Sequence, residues 1–128
     1  IMIYHSLENV VELVEKQGAD VNWRAGYSEY SNFSNLTGFM CACFQNHIET
    51  VKYLMTFERI NVNFVNNDRQ SGFFSACDYG NNEIVQILLE DARVDVMLSD
   101  KYNWSPLMHA AYNGYTEIIK RILCASMW

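Results

Sequence analysis

Apolar residues recur along the chain in short blocks with the spacing of α-helices rather than of β-strands. In the block at residues 83–90, four of the apolar residues form one stripe: Ile84, Val85, Leu88 and Leu89. Positions i, i+1, i+4 and i+5 share one face of a helix, because successive residues are rotated by about 100°. Such blocks predict helices over 6–16, 37–45, 47–57, 71–79, 81–91, 105–113 and 115–126.

The blocks repeat with a period of 34 residues. Residues 37–43, 71–77 and 105–111 each open with Ser or Thr and end in a pair of small residues. The register continues through Glu49, Glu83 and Glu117, through Val51, Val85 and Ile119, and through Leu54, Leu88 and Ile122. A partial copy occupies residues 8–22. A fixed period of this length is typical of units that bury their apolar faces by stacking on one another.

Residues at the block boundaries carry the local signals that this reading requires. A hydroxyl residue suited to N-cap a helix opens each unit: Thr37, Ser71 and Ser105. Pro106 follows at the first helical position, where its missing N–H costs nothing. A residue that tolerates left-handed backbone separates the two helices of each unit: Asn46, Gly80 and Gly114.

The pattern resembles the ankyrin repeat, which opens with Thr-Pro-Leu-His-x-Ala-Ala, continues with Glu-Ile-Val-x-x-Leu-Leu and closes with Gly-Ala-Asp-Val-Asn. The nearest matches are residues 105–111, 83–89 and 18–22. The resemblance implies an all-α ankyrin-repeat solenoid of stacked helix-turn-helix units joined by finger-like β-turns. It implies a single domain over 1–128, with about three full repeats and a partial first one, at about 1–36, 37–70, 71–104 and 105–128.

The first finger is longer than the others. Asn22 and Thr37 are 15 positions apart, whereas Asn63 and Ser71 are 8 apart, so seven residues are inserted. The extra length carries the polar and aromatic stretch at about 26–33. Insertions in a solenoid often map to a binding face, but long loops are also tolerated at little cost, and both readings remain open.

Other departures concern stability and the two ends. Gly38 and Gly72 stand where the ankyrin pattern has proline, and the usual histidine is replaced in all three repeats, by Met40, Phe74 and Met108. We therefore expect the second and third repeats to be less stable than the fourth. Residues 1–4 retain little of a first helix, and the chain ends without an evident polar cap. We expect a longer protein in which flanking sequence or a partner covers one or both ends.

Composition and charge narrow the classes of function. The 128 residues suit one domain, and nine basic against fifteen acidic residues give a net charge of −6. This charge disfavours nucleic-acid binding, and we expect neither membrane insertion nor a secretory signal. The four cysteines are Cys41, Cys43, Cys77 and Cys124, and all lie in apolar helical stretches. We interpret them as reduced thiols packed as small apolar residues, which indicates a cytoplasmic, or else nuclear, location.

Candidate catalytic and metal-binding groups are few. Ser105 and His109 have the i, i+4 spacing of a nucleophile and base, but no acidic residue is evident to orient the histidine. Cys41 and Cys43 point about 200° apart on a helix and cannot share a zinc ion. Phosphate-loop, dinucleotide, HExxH and EF-hand motifs are absent from the sequence. We therefore predict a chain that is not an enzyme and holds no cofactor, metal or small-molecule substrate.

The resemblance implies where a protein partner would bind. Ankyrin domains bind partners in a concave groove, formed by the finger tips and the ends of the first helices. The corresponding positions on the fingers are Asn67, Asp68, Gln70, Lys101, Tyr102 and Trp104, and those on the helices are Phe44, Gln45, Asp78, Tyr79, Tyr112 and Asn113. Five of these twelve are aromatic, which favours an interaction surface, although Phe44 and Trp104 could simply cover adjacent repeats. The mixed charges favour a basic or neutral peptide.

The sequence thus predicts a non-catalytic protein-protein interaction module with an adaptor or scaffold role. An alternative is a regulatory or substrate-recruiting segment of a larger enzyme, ubiquitin-ligase subunit, channel or effector. A hydrolase that uses Ser105 and His109 is a third, less favoured possibility.

Overall fold

A computed structural model describes residues 11, 15, 18–22, 24 and 36–126. These residues contain six α-helices: α1 (Gly38–Phe44), α2 (Ile48–Leu54), α3 (Gly72–Asp78), α4 (Asn82–Leu89), α5 (Pro106–Asn113) and α6 (Thr116–Ser126). Most of the helix predicted at 6–16, the inserted stretch at 26–33 and the two chain ends lie outside the described residues.

The first helix of each pair begins at the predicted cap. The side-chain hydroxyls of Thr37, Ser71 and Ser105 accept hydrogen bonds at 3.2, 3.1 and 3.2 Å from the backbone N–H groups of Met40, Phe74 and Met108. Each bond satisfies one of the donors that a helix start leaves unpaired. The predicted N-caps are therefore confirmed, as is the place of Pro106 at the start of α5.

The helices form two layers of stacked pairs. In one layer α3 packs between α1 and α5, and in the other α4 packs between α2 and α6. The core between the layers includes the predicted stripe residues Leu54, Leu88 and Ile122. Pairing outside the helices is limited, among the described residues, to two isolated bridges, Arg24 with Thr37 and Val65 with Ser71. The all-α fold of stacked helix pairs is confirmed.

Gly72 has a packing reason to replace the expected proline. A Cβ atom at this position would lie 2.9 Å from Cε1 of Phe39 and 3.1 Å from Sγ of Cys43. Both neighbours belong to α1, so the missing side chain lets the second repeat pack closely against the start of α3.

Successive repeats are also joined outside the helices by asparagine side chains. The Asn22 amide donates to the carbonyl of Arg59 at 2.7 Å and accepts from the N–H of Asn61 at 2.7 Å. The Asn63 amide makes the same two bonds one repeat further on, to Arg93 and Asp95, at 2.8 Å each. These bonds connect the closing segment of one repeat to that of the next.

Burial of the first helices decreases in the last repeat. In α3 the buried residues are Gly72, Phe73, Phe74, Ala76 and Cys77, whereas in α5 they are Pro106 and Ala110. Phe74 is 0% exposed, but its equivalent Met108 is 45% exposed. Burial thus gives no support to the expected weakness of the second and third repeats.

The cysteines are all free, and three are buried. Burial raises the pKa of the Cys41 thiol to about 11 and also raises the pKa of the Cys43 and Cys77 thiols. Cys124 is exposed, so the prediction of a packed apolar role is wrong for it. It lies two positions after the buried Ile122 on α6, and two helical steps rotate a side chain by about 200°.

The described helices include none that is both long and apolar enough to cross a membrane.

Candidate partner-binding surface

Two polar turns shape the fingers between the repeats. Finger A consists of residues 66–70 and finger B of residues 100–104. The side chain of Asn66 accepts hydrogen bonds from the N–H groups of Asp68 and Gln70, at 2.9 Å each. The Asp100 carboxylate accepts from Tyr102 and Trp104 in the same way, at 2.9 Å each. Because Asn66 and Asp100 are equivalent in the 34-residue register, both fingers turn alike and present their next residues outward.

Fingers A and B are bonded to each other. The Lys101 ammonium lies 2.8 Å from a carboxylate oxygen of Asp68, and the Lys101 N–H donates to the Asp68 carbonyl at 3.0 Å. The hydrogen bond to this carboxylate raises the pKa of Lys101. Both side chains are well exposed, so the ion pair contributes little to stability and mainly sets the position of the finger tips.

A cleft lies between finger A and the first helices of two repeats. Its volume is about 290 Å³, and it is lined by Leu36, Met40, Phe44, Asn66, Asp68, Gln70, Ser75 and Tyr79. The rings of Phe44 and Tyr79 lie at one side of it with their centroids 5.6 Å apart. Four predicted contact residues thus come together: Phe44, Asp68, Gln70 and Tyr79. The cleft is large enough for one or two side chains of a partner.

A second aromatic cluster joins finger B to α5. Trp104 contacts Tyr112 with ring centroids 5.8 Å apart and His109 with centroids 5.2 Å apart. The buried ring of Phe74 also contacts His109, with ring centroids 4.5 Å apart. Trp104 is half-buried here and Tyr112 is exposed, so Trp104 contributes to packing as well as to the surface.

The predicted residues at the ends of α3 and α5 are also bonded to each other. The Asn113 amide donates at 3.1 Å to both the carbonyl and the carboxylate of Asp78. Of the remaining predicted residues, Gln45 is half-buried directly after α1, and Asn67 is exposed on finger A.

Two carboxylates flank His109, and the prediction that no acidic residue accompanies it is wrong. Nδ1 lies 3.0 Å from Oδ1 of Asp78, and Nε2 lies 3.4 Å from Oδ2 of Asp100. The sequence could not show this, because Asp78 is 31 positions away and belongs to another helix. The Ser105 hydroxyl accepts the capping bond from Met108, and both contacts described for the His109 nitrogens go to carboxylates. The arrangement therefore gives no support to a nucleophile-base pair.

The Asp100 carboxylate is held in its ionised form. Burial by itself raises the pKa of Asp100, but hydrogen bonds from the N–H groups of Trp104 and Tyr102 and from His109 outweigh it and leave the pKa below its ordinary value. A buried negative charge thus lies at the base of finger B.

Several residues of this surface escaped the sequence analysis: Leu36, Met40, Asn66, Ser75, Asp100 and His109. For Asn66 and Asp100 a signal existed, since both precede a finger tip and share one register position. Ser75 and His109 lie inside first helices, where the sequence alone does not show which side chains reach the fingers.

Fold and surface together define a class: stacked helix pairs that present finger turns and helix ends bearing aromatic side chains. Within the described residues, His, Cys, Asp and Glu side chains form no cluster of three that could hold a metal ion. A family model described as ankyrin repeats (3 copies) matches residues 2–100 and 39–127. The chain belongs to the ankyrin-repeat family. No curated protein gives a significant match to it. Ankyrin repeats generally mediate protein-protein interaction and are typically non-catalytic.

Proposed function

We propose that this chain is a non-catalytic module that binds a protein partner, in an adaptor or scaffold role, through its finger-side surface. This surface consists of the finger residues Asn67, Asp68, Gln70, Lys101, Tyr102 and Trp104 and the helix-end residues Phe44, Gln45, Asp78, Tyr79, Tyr112 and Asn113. The observation that carries the proposal is the exposure of three tyrosines there: Tyr79 is 60% exposed, Tyr102 is 71% exposed and Tyr112 is 78% exposed.

Direct contacts make this surface continuous. The cleft beside Tyr79 includes Asp68, which is bonded to Lys101, and the Lys101 ammonium lies 5.1 Å from the centre of the Tyr102 ring. Finger B continues to Trp104, whose ring meets Tyr112. Exposed aromatic rings on a single face are costly in water and are enriched among the residues that dominate binding energy.

Hydrogen bonds hold the framework under this surface. Side-chain hydrogen bonds shape both fingers, and the fingers are bonded to one another. Binding a partner therefore costs little conformational entropy in the fingers, which favours recognition with small changes of shape. The net charge of −6, together with Asp68 and Asp78 on the surface, favours a basic or neutral partner segment over an acidic one.

The cysteines support the proposed location. All four are free, and three are buried as thiols. Thiols persist in reducing compartments, which supports our proposal that the chain lies in the cytoplasm or the nucleus.

The test compares three forms of the whole chain as bait in affinity capture: the unmodified chain, a variant with Tyr79, Tyr102 and Tyr112 changed to Ala, and the control Leu123→Ala. Leu123 is an exposed apolar residue of α6, outside the finger-side surface. A partner of this surface is retained by the unmodified chain and the control, and its dissociation constant rises at least about 30-fold in the triple variant. Equal binding of every captured protein by the triple variant, with its helical content intact, would reject the proposal.

A further inference from the structure

His109 occupies an unusual position at the centre of the finger-side surface. Its two ring nitrogens face carboxylates from two different elements, Asp78 at the end of α3 and Asp100 at the base of finger B. The ring itself belongs to α5 and is about one-fifth exposed, with side-chain exposure of 22%. One imidazole therefore connects two helices and a finger.

The number of donors determines which form of the ring satisfies this arrangement. A neutral imidazole has one N–H group and can donate to only one of the two carboxylates. The imidazolium has two N–H groups and can donate to both. Trp104 and Phe74 surround the ring at centroid distances of 5.2 and 4.5 Å, and aromatic rings interact favourably with a nearby cation.

Asp100 transmits the state of His109 to finger B. Its Oδ2 atom faces His109, while its Oδ1 atom accepts the bonds from the N–H groups of Tyr102 and Trp104. The neutral ring keeps one proton, and the shorter contact, from Nδ1 to Asp78 at 3.0 Å rather than from Nε2 to Asp100 at 3.4 Å, favours its staying on Nδ1. The lone pair of Nε2 then faces the Asp100 carboxylate, and this contact is repulsive. Relief of the repulsion requires Asp100 or the ring to move. Because Trp104 is hydrogen-bonded to Asp100 and its ring contacts His109, we expect either movement to change the position of Trp104.

Other charged and titratable side chains lie near His109, and most of them have partners of their own. Asp78 also accepts from the amide of Asn113, and the Lys101 ammonium of finger B is paired with Asp68 of finger A. The side chains of Tyr102 and Tyr112 are exposed. Among the described contacts of Asp78 and Asp100, His109 is the one side chain that can carry a positive charge.

We propose that the proton on His109 locks finger B and the Trp104–Tyr112 pair in the arrangement that binds a partner, so that loss of this proton with rising pH weakens binding. The link to binding rests on the proposed function, whereas the link between His109 and Trp104 can be measured without any partner.

The first experiment is an NMR titration of the free chain. It follows the ring nitrogens of His109 and the indole N–H of Trp104, the latter assigned by Trp104→Phe. We expect the Trp104 resonance to shift with the same midpoint as the His109 ring. In His109→Gln the resonance stays at its high-pH position, and in His109→Lys, which keeps a charge and several donors, it stays near its low-pH position. His47→Gln changes an exposed histidine and leaves the Trp104 titration unaltered.

Two results would overturn the proposal. One is a Trp104 resonance that does not respond while His109 titrates. The other is a Trp104 response that persists in His109→Gln, which would assign it to another group.

The second experiment measures the dissociation constant of a captured partner across the same pH interval. We expect affinity to fall by about tenfold as His109 loses its proton, and to be independent of pH in His109→Lys. If Trp104 follows His109 but the tyrosine variant binds normally, the proposed function fails and the link between the two residues stands. A partner that requires the tyrosines but binds equally at all pH values would refute the regulation alone.

Discussion

At the scale of single residues, the starts of α1, α3 and α5 depend on hydroxyl groups that are hydrogen-bonded to the backbone. The Ser71 side chain is buried and accepts from the N–H of Phe74. Ser75 in α3 is half-buried, and its side chain has no described hydrogen bond. Replacing Ser71 removes the one side-chain partner that the structure describes for that donor, so the cost is of the size measured for N-caps.

We predict that Ser71→Ala lowers the free energy of unfolding by about 1 kcal/mol or somewhat more. The matched control Ser75→Ala changes it by less than about 0.5 kcal/mol, because alanine is the better helix former and no bond is lost. Urea denaturation followed by circular dichroism measures both. Equal effects of the two substitutions would contradict the capping role of Ser71.

Gly72→Ala tests the close approach between α1 and α3. The new methyl group would meet Phe39 and Cys43 at 2.9 and 3.1 Å, so we expect a loss of about 1–3 kcal/mol from overpacking. Gly114→Ala meets no atom within 4 Å, but its φ of +75° strains any side chain, and we expect a loss of about 1 kcal/mol.

A double-mutant cycle separates the two causes. Phe39→Leu removes the contacting ring atom, so it should recover part of the loss in Gly72→Ala and none of the loss in Gly114→Ala. Additive effects in the pair of Phe39 and Gly72 would show that the contact is not the cause.

Residue-scale prediction from the sequence was sound where the signal is local. An N-cap depends on its own side chain and the next three residues, and so Thr37, Ser71 and Ser105 were predictable. The bonds of His109 depend on residues 31 and 9 positions away, in sites that only the stacked repeats bring together.

At the scale of helices, the starts were predicted within one residue. The predicted ends of α1 to α4 extended one to three residues too far, whereas those of α5 and α6 are correct. The second helix of the second repeat was predicted over 47–57 but ends at Leu54. The N–H groups of Thr56 and Phe57 bond to carbonyls three residues earlier, which tightens the chain into turns. Phe57 still packs against the core, so the apolar pattern continues beyond the helix and misplaces its end.

Helix α5 of the last pair is expected to open more readily than helix α3 of the pair before it. Helix α3 is covered by neighbours on two sides, while α5 has α3 on one side and leaves Met108 half-exposed on the surface. Since local opening is easier where less apolar surface is buried, we predict that amide hydrogens of α5 exchange faster than those of α3. The sequence-based expectation was the opposite, that the fourth repeat is more stable than the third. That expectation rested on the residues at the helix starts and took no account of burial.

Site-resolved hydrogen exchange tests this prediction. It is measured under conditions where the exchange rates report the free energies of local opening in α3 and α5. Slower exchange in α5 than in α3 would favour the sequence-based expectation instead.

At the scale of the whole molecule, the repeat period determines the fold, because each unit has an apolar face that only its neighbours can cover. The stacked architecture was therefore predictable from the register alone. The details of the finger-side surface were not, since its cleft and its two aromatic clusters combine side chains from consecutive repeats.

The buried thiols make the stability of the domain sensitive to alkaline pH. Their pKa values are raised by burial, to about 11 for Cys41, above the ordinary value of 9.0. The native state therefore keeps protons that the unfolded chain loses. The stabilisation is fully present below pH 9.0 and is lost as the pH rises from there towards the native pKa.

We predict that the free energy of unfolding falls above about pH 9, by up to about 1.4 kcal/mol per pH unit for each buried thiol. Cys77→Ala should reduce this slope, and alanine already occupies the equivalent position 111. Cys124→Ala removes an exposed thiol and should leave the slope unchanged. Denaturant unfolding with a reductant at several pH values measures the slopes. A slope unaffected by Cys77→Ala would refute the assignment.

The bonds of Asn22 and Asn63 have a consequence for how such a protein can diversify. Asn22 reaches residues 37 and 39 positions ahead, whereas Asn63 reaches residues 30 and 32 positions ahead, yet both make the same pair of bonds. The seven extra positions fall between the two anchored ends and leave the joint intact. The segment between Arg24 and Leu36 is thus a natural place for grafting a foreign peptide, because its length can vary while the neighbouring repeats keep their alignment.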